Sequence, residues 1–521
     1  MSFNFSFHHF IFSTFPILFL FLDNMHELQI QDIILPLIIS ILIITIFWIL
    51  LSKVIGKIRA SLILSFTIIL LIIFSQLRIL FFYQGVDNLQ FLGKLNILGP
   101  IIVVIGIIGI IFIIKKNPTQ NIASITNVIS LAVIGFIILQ VGMFSMENNV
   151  TLDEFQEAMN VSIFEADESI AKPDVYFLML DAYSGEIILD MEFGYDNSEF
   201  YKNLEKRGFV VQKQSFSNYP NTEFSMPSIT NMAYFDEHVL KPNGVEYSDV
   251  KVYQQLTKNS IVSKNFRVNG YELHSVAEID PSLMHNSVIH CRNVFNLNQD
   301  LLNTILNIYL PLTELRYILF ETDHYQFISC AIEKVKNFEK TNDSPIFMFA
   351  HFGLPHPPFI FDSDGNKIDE VLPVEGGISE MVVSKKGFNS KYTDAYVDQV
   401  KFSQKVSIEM IDSIQEKNSN SVIILMSDHG IRIGTDWENP SDIDYFSALN
   451  NLSAVYFPGK EGQIPTEIAA VNLFRIFFNL YFDADYEILD ERYIWYTESE
   501  RLTHIDITEK INTSSLLERN Q

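Results

Sequence analysis

Long apolar runs dominate the first 146 residues of the chain. Five runs lie at about residues 5–22, 33–52, 61–82, 95–114 and 123–145, and each has close to the roughly 20 residues that a membrane-spanning helix needs. No basic stretch precedes the first run and no small-residue cleavage site follows it, so we interpret it as a retained helix, with a cleaved signal peptide as the alternative. The pattern predicts a transmembrane domain of about five helices over residues 1–146.

Charged residues between the apolar runs predict an orientation in the membrane. The loops after the second and fourth runs are basic and contain Lys53, Lys57, Arg59, Lys115 and Lys116. The loop at 23–32 and the segment after residue 146 are acidic. Because basic loops stay on the cytoplasmic side, the sequence predicts a multi-pass protein of the plasma membrane whose remaining residues are extracytoplasmic.

The hydrophobic pattern changes beyond the last apolar run. Residues 147–172 are polar and acidic and are predicted to be a juxtamembrane connector, with a short amphipathic helix near its start. From about residue 173 to 521, short β-rich apolar runs alternate with amphipathic stretches. This alternation predicts an α/β domain with a mostly parallel sheet flanked by helices.

Polar side chains that can do chemistry follow three predicted buried strands. The strand at 174–180 is followed by Asp181, the strand at 345–350 by His351 and His356, and the strand at 422–426 by Asp428 and His429. In open α/β sheets the ligand crevice lies at the carboxyl ends of the strands, so we expect these side chains to meet at one edge.

Two carboxylates and an imidazole make a mixed oxygen and nitrogen donor set. Such a set suits Zn²⁺ or Mn²⁺, with Mg²⁺ and Ca²⁺ as alternatives. A hydroxyl bound to the ion would lose its proton readily and become a nucleophile. Thr222, Ser225 and Ser228 lie in a turn-rich entry to a predicted helix, and residue chemistry leaves open which of them is the nucleophile or whether all three only cap that helix.

The two histidines after the second of these strands differ in setting. His356 is held in the stiff loop Leu354-Pro355-His356-Pro357-Pro358 and is predicted to act at the site. His351 is nearer the strand and is a second candidate for substrate binding, with packing in the core as the alternative.

The order of these motifs resembles the alkaline phosphatase and sulfatase superfamily. The apolar spans ahead of them resemble more narrowly its membrane branch, the lipoteichoic acid synthases and phosphoethanolamine transferases. The resemblance covers most of the chain, and its most specific parts are Ser427-Asp428-His429-Gly430 and the spacing of Thr222 and Ser225. It implies an alkaline-phosphatase-like fold. It also implies that Thr222 is the metal-bound nucleophile.

The same resemblance assigns the other residues. Ser225 supports the nucleophile and is the second candidate for it, while Asp181, Asp428 and His429 are metal ligands. His356 contacts the phosphoryl group of the substrate or protonates the leaving group.

Two departures from the family pattern limit what the resemblance implies. Ser225-Met226-Pro227-Ser228 fits the serine form of the sulfatase motif, but Ile229 stands where that motif has arginine. This puts ordinary sulfatase chemistry in doubt. Asp181 stands where the membrane transferases usually have Glu, which leaves the preferred ion less defined.

The function that follows is a membrane-bound, metal-dependent transferase. It would move a phosphoglycerol or phosphoethanolamine group from a membrane lipid donor to a cell-envelope acceptor, through a covalent threonine intermediate. A membrane-tethered hydrolase of phosphate or sulfate esters is the first alternative. An inactive surface receptor or scaffold is the second, because a fold does not guarantee activity.

Composition narrows the classes of partner. The chain has a net charge of −26, and residues 1–150 hold seven Lys and Arg against five Asp and Glu, so the negative charge belongs to the rest. An acidic domain repels nucleic-acid phosphates, so no nucleic-acid partner is expected. Two cysteines, Cys291 and Cys330, are too few for a thiolate zinc site, and they are either one disulfide of an oxidising compartment or two buried thiols.

Overall fold

In the computed structural model, the described residues form two compact units that divide between Val150 and Thr151. We call residues up to Val150 the helical unit, and Thr151–Cys291 with Thr322–Gln521 the sheet unit. The structure describes residues 6–518 apart from 24–29, 79–94, 117, 119, 148–151, 237–238, 240–250, 278–286, 289–290, 292–321, 369–389, 433–434 and 498–499. Most of the loop predicted at 362–393 therefore lies outside the described residues.

The described part of the helical unit consists of apolar helices. They are α1 (His8–Asp23), α2 (Ile30–Ile55), α3 (Lys57–Arg78), α4 (Leu95–Lys116) and α5 (Gln120–Glu147). Among the described residues, four helices are long and apolar enough to cross a membrane, and these are α2 to α5. The predicted count of five spans was therefore wrong. The first helix has 16 residues and, at about 1.5 Å per residue, falls short of the roughly 30 Å of a bilayer core.

Polar groups in the helical unit find partners on neighbouring helices. The backbone N–H groups of Phe7 and His8 both donate to Asn127 Oδ1 at 3.0 Å, which satisfies donors at the start of α1. Trp48 Nε1 donates to Ser61 Oγ at 2.9 Å. Because lipid offers no hydrogen-bonding partners, such pairing is what helices in a bilayer require.

A seven-stranded sheet forms the centre of the sheet unit. Its strands are β1 (Val175–Asp181), β2 (Val210–Val211), β3 (Glu272–Ala277), β4 (Ser287–Val288), β5 (Ile346–Pro355), β6 (Val422–Ser427) and β7 (Ser453–Tyr456). The strand order is β2-β7-β6-β1-β5-β3-β4. Only the pairs β6–β7 and β2–β7 are antiparallel in the described sheet. A separate antiparallel pair is formed by β8 (Ile494–Thr497) and β9 (Glu500–Asp506).

Helices pack around this sheet. They are α6 (Leu152–Met159), α7 (Glu186–Phe193), α8 (Ser198–Lys206), α9 (Thr222–Asn231), α10 (Lys251–Lys258), α11 (Ile261–Val268), α12 (Thr322–Lys336), α13 (Ser390–Lys417), α14 (Asp442–Leu449), α15 (Leu473–Phe482), α16 (Thr508–Asn512) and α17 (Ser515–Glu518). Short 3₁₀ turns occupy Glu461–Gln463 and Ala470–Asn472. The predicted α/β fold is confirmed: along the chain, an apolar helical unit is followed by a mostly parallel sheet with flanking helices.

Burial on both faces explains why the central strands read as unbroken apolar runs. Every residue of β1, β5 and β6 is buried. On one face, Phe177 of β1 contacts Phe474 of α15, with 5.3 Å between ring centroids, and Phe347 of β5 stacks on Phe266 of α11 at 4.2 Å. Parallel strands covered by helices on both faces have no solvent-facing side, and alternation of polar residues is therefore absent.

Residues of the predicted juxtamembrane connector lie within the sheet unit and are held there by hydrogen bonds. The N–H groups of Phe164 and Ala166 donate to Asn265 Oδ1 at 3.0 Å and Asn269 Oδ1 at 2.7 Å. The two cysteines, whose pairing the sequence left open, form a disulfide in which the Cα atoms of Cys291 and Cys330 are 5.7 Å apart. Disulfides are typical of oxidising compartments.

Candidate active site

The carboxyl ends of β1 and β6 bring two carboxylates together. The strands pair in parallel with Leu180 opposite Ser427, so the residues that follow, Asp181 and Asp428, lie side by side. The side chains of both are buried, with 2% and 0% exposure. His429 follows Asp428 directly and is also buried. This is the convergence at one sheet edge that the sequence pattern indicated.

Thr222 approaches these residues from another element. It is the first residue of α9, and Asn221 caps that helix by accepting a hydrogen bond from the Phe224 N–H at 3.2 Å. Thr222 Oγ1 donates to Asp428 Oδ2 at 2.5 Å and lies 3.3 Å from His429 Nε2. The helix cap therefore fixes a hydroxyl against a carboxylate that can accept its proton.

Three side chains form a compact donor group. One ligand atom from each of Asp181, Asp428 and His429 lies within 4.8 Å of the other two. His429 Nε2 is 3.6 Å from Asp181 Oδ1 and 3.4 Å from Asp428 Oδ2. The other ring nitrogen, Nδ1, lies 2.7 Å from the carbonyl oxygen of Gly430, which orients the ring so that Nε2 faces the carboxylates.

The donor group fits a divalent cation. Asp181 Oδ1 is buried and accepts no hydrogen bond from the described residues. A buried carboxylate oxygen without a partner is costly, and a bound cation would remove that cost. The mixed set of carboxylate oxygens and imidazole nitrogen is one that Zn²⁺ and similar ions accept.

Burial and neighbouring charges shift the pKa values of the two central residues. Burial raises the pKa of Asp428, but His429, His351 and the hydrogen bonds from Thr222 and Ala182 together lower it more, so its pKa lies below the usual value. Burial lowers the pKa of His429, against the opposing effect of Asp428. At neutral pH the pair is a carboxylate and a neutral imidazole, the forms that bind metal ions.

His351 lies at the same site. It belongs to β5, is 7% exposed, and its Nε2 is 3.9 Å from Asp181 Oδ2 and 4.0 Å from Asp428 Oδ2. His356 lies after the end of β5, with Nδ1 2.5 Å from the carbonyl oxygen of Pro357, and its own carbonyl accepts a hydrogen bond from Gln399 Nε2 at 3.0 Å. The sequence favoured His356 over His351, whereas the structure places His351 against the carboxylates.

The three candidate hydroxyls are separated by the structure. Thr222 is the one whose oxygen contacts Asp428 and His429. Ser225, one turn later, is 1% exposed, and its Oγ has no hydrogen-bond partner among the described residues. Ser228 Oγ donates to the carbonyl oxygen of Ala233 at 2.8 Å, a contact within the end of its own helix.

A strained turn after Asp181 is held from outside by a tyrosine. Ala182 has φ of +60°, a left-handed backbone that non-glycine residues seldom adopt, and its N–H donates to Asp428 Oδ1 at 3.3 Å. Tyr396 of α13 is fully buried; its hydroxyl donates to the Ala182 carbonyl at 2.9 Å and accepts from the Ser184 N–H at 3.0 Å. The tyrosine therefore fixes the backbone that carries Asp181.

Sequence reasoning missed two residues near the site. Tyr396 lies on a helix whose amphipathic pattern is typical of packing on a sheet, and nothing in that pattern distinguishes its hydroxyl. Arg432 lies three residues after His429, and its positive charge contributes to lowering the pKa of that histidine. Its position two residues beyond the Ser-Asp-His-Gly motif was the sequence signal that could have indicated it.

Several solved structures are similar to the chain at low sequence identity. The C-terminal periplasmic domain of EcEptC from Escherichia coli is 13% identical with a TM-score of 0.41, over 66% of this chain and 96% of that one. The integral membrane protein lipooligosaccharide phosphoethanolamine transferase A (EptA) from Neisseria meningitidis is 14% identical with a TM-score of 0.35, over 92% and 96%. A putative sulfatase from Bacteroides thetaiotaomicron VPI-5482 is 12% identical with a TM-score of 0.36, over 63% and 79%.

No protein-family model and no curated protein matches the chain. Phosphoethanolamine transferases and sulfatases, the groups that the sequence motifs resemble, are among these similar structures. At these identities and TM-scores the likeness transfers no substrate and no residue role. The function proposed below rests on the geometry of the site.

Proposed function

We propose that the protein is a membrane-bound, metal-dependent transferase that moves a phosphoryl-linked headgroup through a covalent bond to Thr222. One observation carries the proposal: Thr222 Oγ1 lies 2.5 Å from Asp428 Oδ2 and 3.3 Å from His429 Nε2. Thr222 begins a buried helix, and its hydroxyl is hydrogen-bonded to the buried carboxylate of Asp428. The neighbouring carboxylate, Asp181, has a buried oxygen without a hydrogen bond from the described residues. A hydroxyl in this setting can be activated as a nucleophile.

The residues suggest how the first half-reaction proceeds. Asp181, Asp428, His429 and Thr222 would hold a divalent ion, which when bound lowers the pKa of the hydroxyl and offsets charge on the phosphoryl oxygens. The Thr222 oxygen attacks phosphorus, and its proton leaves along the hydrogen bond to Asp428 and passes to solvent. A new O–P bond forms as the bond from phosphorus to the lipid alcohol breaks. His356 is proposed to supply the proton that the leaving oxygen takes.

The second half-reaction reverses these events with a different alcohol. An acceptor hydroxyl of the cell envelope attacks phosphorus and gives its proton to His356. The bond to Thr222 breaks, and the Thr222 oxygen takes a proton back from solvent along the hydrogen bond to Asp428. The dipole of α9, which begins at Thr222, favours a negatively charged phosphoryl oxygen beside that residue in both halves. Thr222 ends the cycle unchanged.

A lipid donor is supported by the helical unit. Four apolar helices keep the chain in the bilayer, and the basic loops predict that the sheet unit is extracytoplasmic. The disulfide between Cys291 and Cys330 agrees with that side of the membrane. We propose a domain division at residues 1–146, 147–172 and 173–521, with a donor from the outer leaflet and Zn²⁺ or Mn²⁺ as the ion.

The test is an intact-mass measurement on the full-length protein. The protein in detergent is loaded with Zn²⁺ or Mn²⁺ and incubated with vesicles of phosphatidylethanolamine or phosphatidylglycerol. We expect a headgroup adduct that maps to Thr222 and is lost in Thr222→Ala, with Ser225→Ala as the matched control on the same helix. An adduct that persists in Thr222→Ala would refute the assignment of the nucleophile.

The same samples separate the alternative functions. Release of free phosphate or sulfate from esters, without an acceptor and without transfer, would identify a hydrolase. Absence of stoichiometric metal in protein purified without chelator, together with no adduct, would identify a non-catalytic receptor or scaffold.

A further inference from the structure

His351 presents an imidazole nitrogen to the same two carboxylates that His429 contacts. We infer that His351 is a ligand of the metal centre, which therefore offers two imidazoles and two carboxylates in addition to Thr222. The inference rests on the proposed function, because that function requires a bound ion. It changes the role that the sequence suggested for His351, which was substrate binding.

Distances between the donor atoms support this assignment. Ligands held about 2.1 Å from one ion are roughly 3.0 Å apart at a right angle and about 4.2 Å apart on opposite sides of it. His351 Nε2 lies 3.9 Å from Asp181 Oδ2 and 4.0 Å from Asp428 Oδ2. His429 Nε2 lies 3.6 Å and 3.4 Å from oxygens of the same two residues. Both histidines fall within the range that shared coordination produces.

Burial gives a second reason. His351 Nε2 is buried and has no hydrogen-bond partner among the described residues. Its side chain is 8% exposed, so water access is limited. An unsatisfied buried imidazole nitrogen destabilises the folded state, and a cation that accepts its lone pair removes that cost.

The two oxygens of Asp181 are divided between the histidines. Oδ1 is the oxygen nearest His429, and Oδ2 is the one nearest His351. Oδ1 is itself buried without a hydrogen bond from the described residues. Two imidazoles on either side of one carboxylate form a donor set that is richer in nitrogen than the three-residue group alone.

This donor set has a consequence for the choice of ion. Imidazole nitrogen is favoured by Zn²⁺ and other late first-row ions, whereas Mg²⁺ and Ca²⁺ take oxygen. A second imidazole therefore biases the centre toward Zn²⁺. The competing explanation is that His351 only packs beside the acid pair and binds no ion. Its removal would then leave Zn²⁺ affinity unchanged, whereas removal of a ligand weakens it.

The experiment measures metal affinity rather than activity. Full-length protein in detergent is stripped with chelator and titrated with Zn²⁺ against a chromophoric competitor, and in parallel with Mg²⁺. We expect His351→Ala to weaken Zn²⁺ binding about 100-fold or more, since loss of even an outer contact to a ligand typically costs 10–100-fold. Mg²⁺ binding should change less. His356→Ala, five residues along, is the matched control and should keep the wild-type Zn²⁺ affinity.

A second variant and a spectroscopic readout guard against misfolding. His351→Gln keeps a polar side chain of similar length, and the visible absorption of Co²⁺ in place of Zn²⁺ reports loss of a nitrogen ligand. Unchanged or tighter Zn²⁺ binding in a folded His351 variant would overturn the inference. If the Thr222 adduct still forms in that case, the proposed function survives. If the wild-type protein binds no metal at all, both fail.

Discussion

Replacement of Tyr396 by phenylalanine tests how the strained turn after Asp181 is held. The change removes one oxygen and leaves the ring among the same neighbours, including Phe193 at 4.6 Å between centroids. The Ala182 carbonyl and the Ser184 N–H lose their partner in a fully buried environment. Both are main-chain groups whose positions are set by the turn.

The expected loss can be estimated from those two groups. A buried polar group left without a partner costs about 1–3 kcal/mol, so the two groups together should lower the free energy of unfolding of the sheet unit in Tyr396→Phe by about 2–6 kcal/mol. A left-handed backbone costs a non-glycine residue such as Ala182 about 1–2 kcal/mol. The turn is therefore expected to relax once the tyrosine hydroxyl is removed. Because the Ala182 N–H binds Asp428 Oδ1, relaxation should also weaken Zn²⁺ binding.

Tyr183→Phe is the matched control. Tyr183 is fully buried, and its hydroxyl bonds the side chains of Asn197 at 3.0 Å and Gln404 at 2.8 Å. Those two side chains already bond each other, with Gln404 Nε2 2.7 Å from Asn197 Oδ1. They remain partly satisfied after the change, so we expect a loss of about 1 kcal/mol and no change in Zn²⁺ affinity.

Urea titration of the full-length protein in detergent, followed by tryptophan fluorescence, measures both variants. Two of the three tryptophans, Trp437 and Trp495, stack in the sheet unit with 4.9 Å between ring centroids, so the signal reports its unfolding. Equal losses in the two variants, or a loss in Tyr396→Phe below about 0.5 kcal/mol, would refute the reasoning.

Two further predictions concern other parts of the sheet unit. A Cβ added at Gly430 would lie 2.3 Å from the carbonyl oxygen of Ser447. Gly430→Ala should therefore lower the free energy of unfolding by more than about 3 kcal/mol in the same urea titration, and it should weaken Zn²⁺ binding. Gly462→Ala is the control and should be neutral, because its Cβ would meet nothing within 4 Å. Burial lowers the pKa of His504 from 6.5 to about 4. Its neutral form is favoured in the folded state, so acidification from about pH 6.5 to 4 should remove about 3 kcal/mol of stability, and His504→Phe should flatten that part of the pH profile measured by urea titration. A slope unchanged in His504→Phe would contradict this assignment.

The sequence predicted the fold because the spacing of apolar residues along a chain reflects which side chains are buried. Unbroken apolar runs of about 20 residues indicated spans, and short unbroken runs alternating with amphipathic stretches indicated a parallel sheet covered on both faces. Position along the chain also indicated that Asp181, Asp428 and His429 would meet, since parallel strands end at one edge. The wrong count of spans has a physical origin, because α1 begins only at His8 and its 16 residues are too few to cross a bilayer core.

The sequence by itself determined an apolar helical unit, an α/β sheet unit and the strand ends that carry carboxylates and imidazoles. Only the tertiary structure decided that Thr222 rather than Ser225 or Ser228 contacts Asp428, that His351 faces both carboxylates, and that Tyr396 holds the turn at Ala182. The reason is that burial leaves a periodic trace along the chain, whereas a contact between residues 77 or more positions apart depends on how separate elements pack.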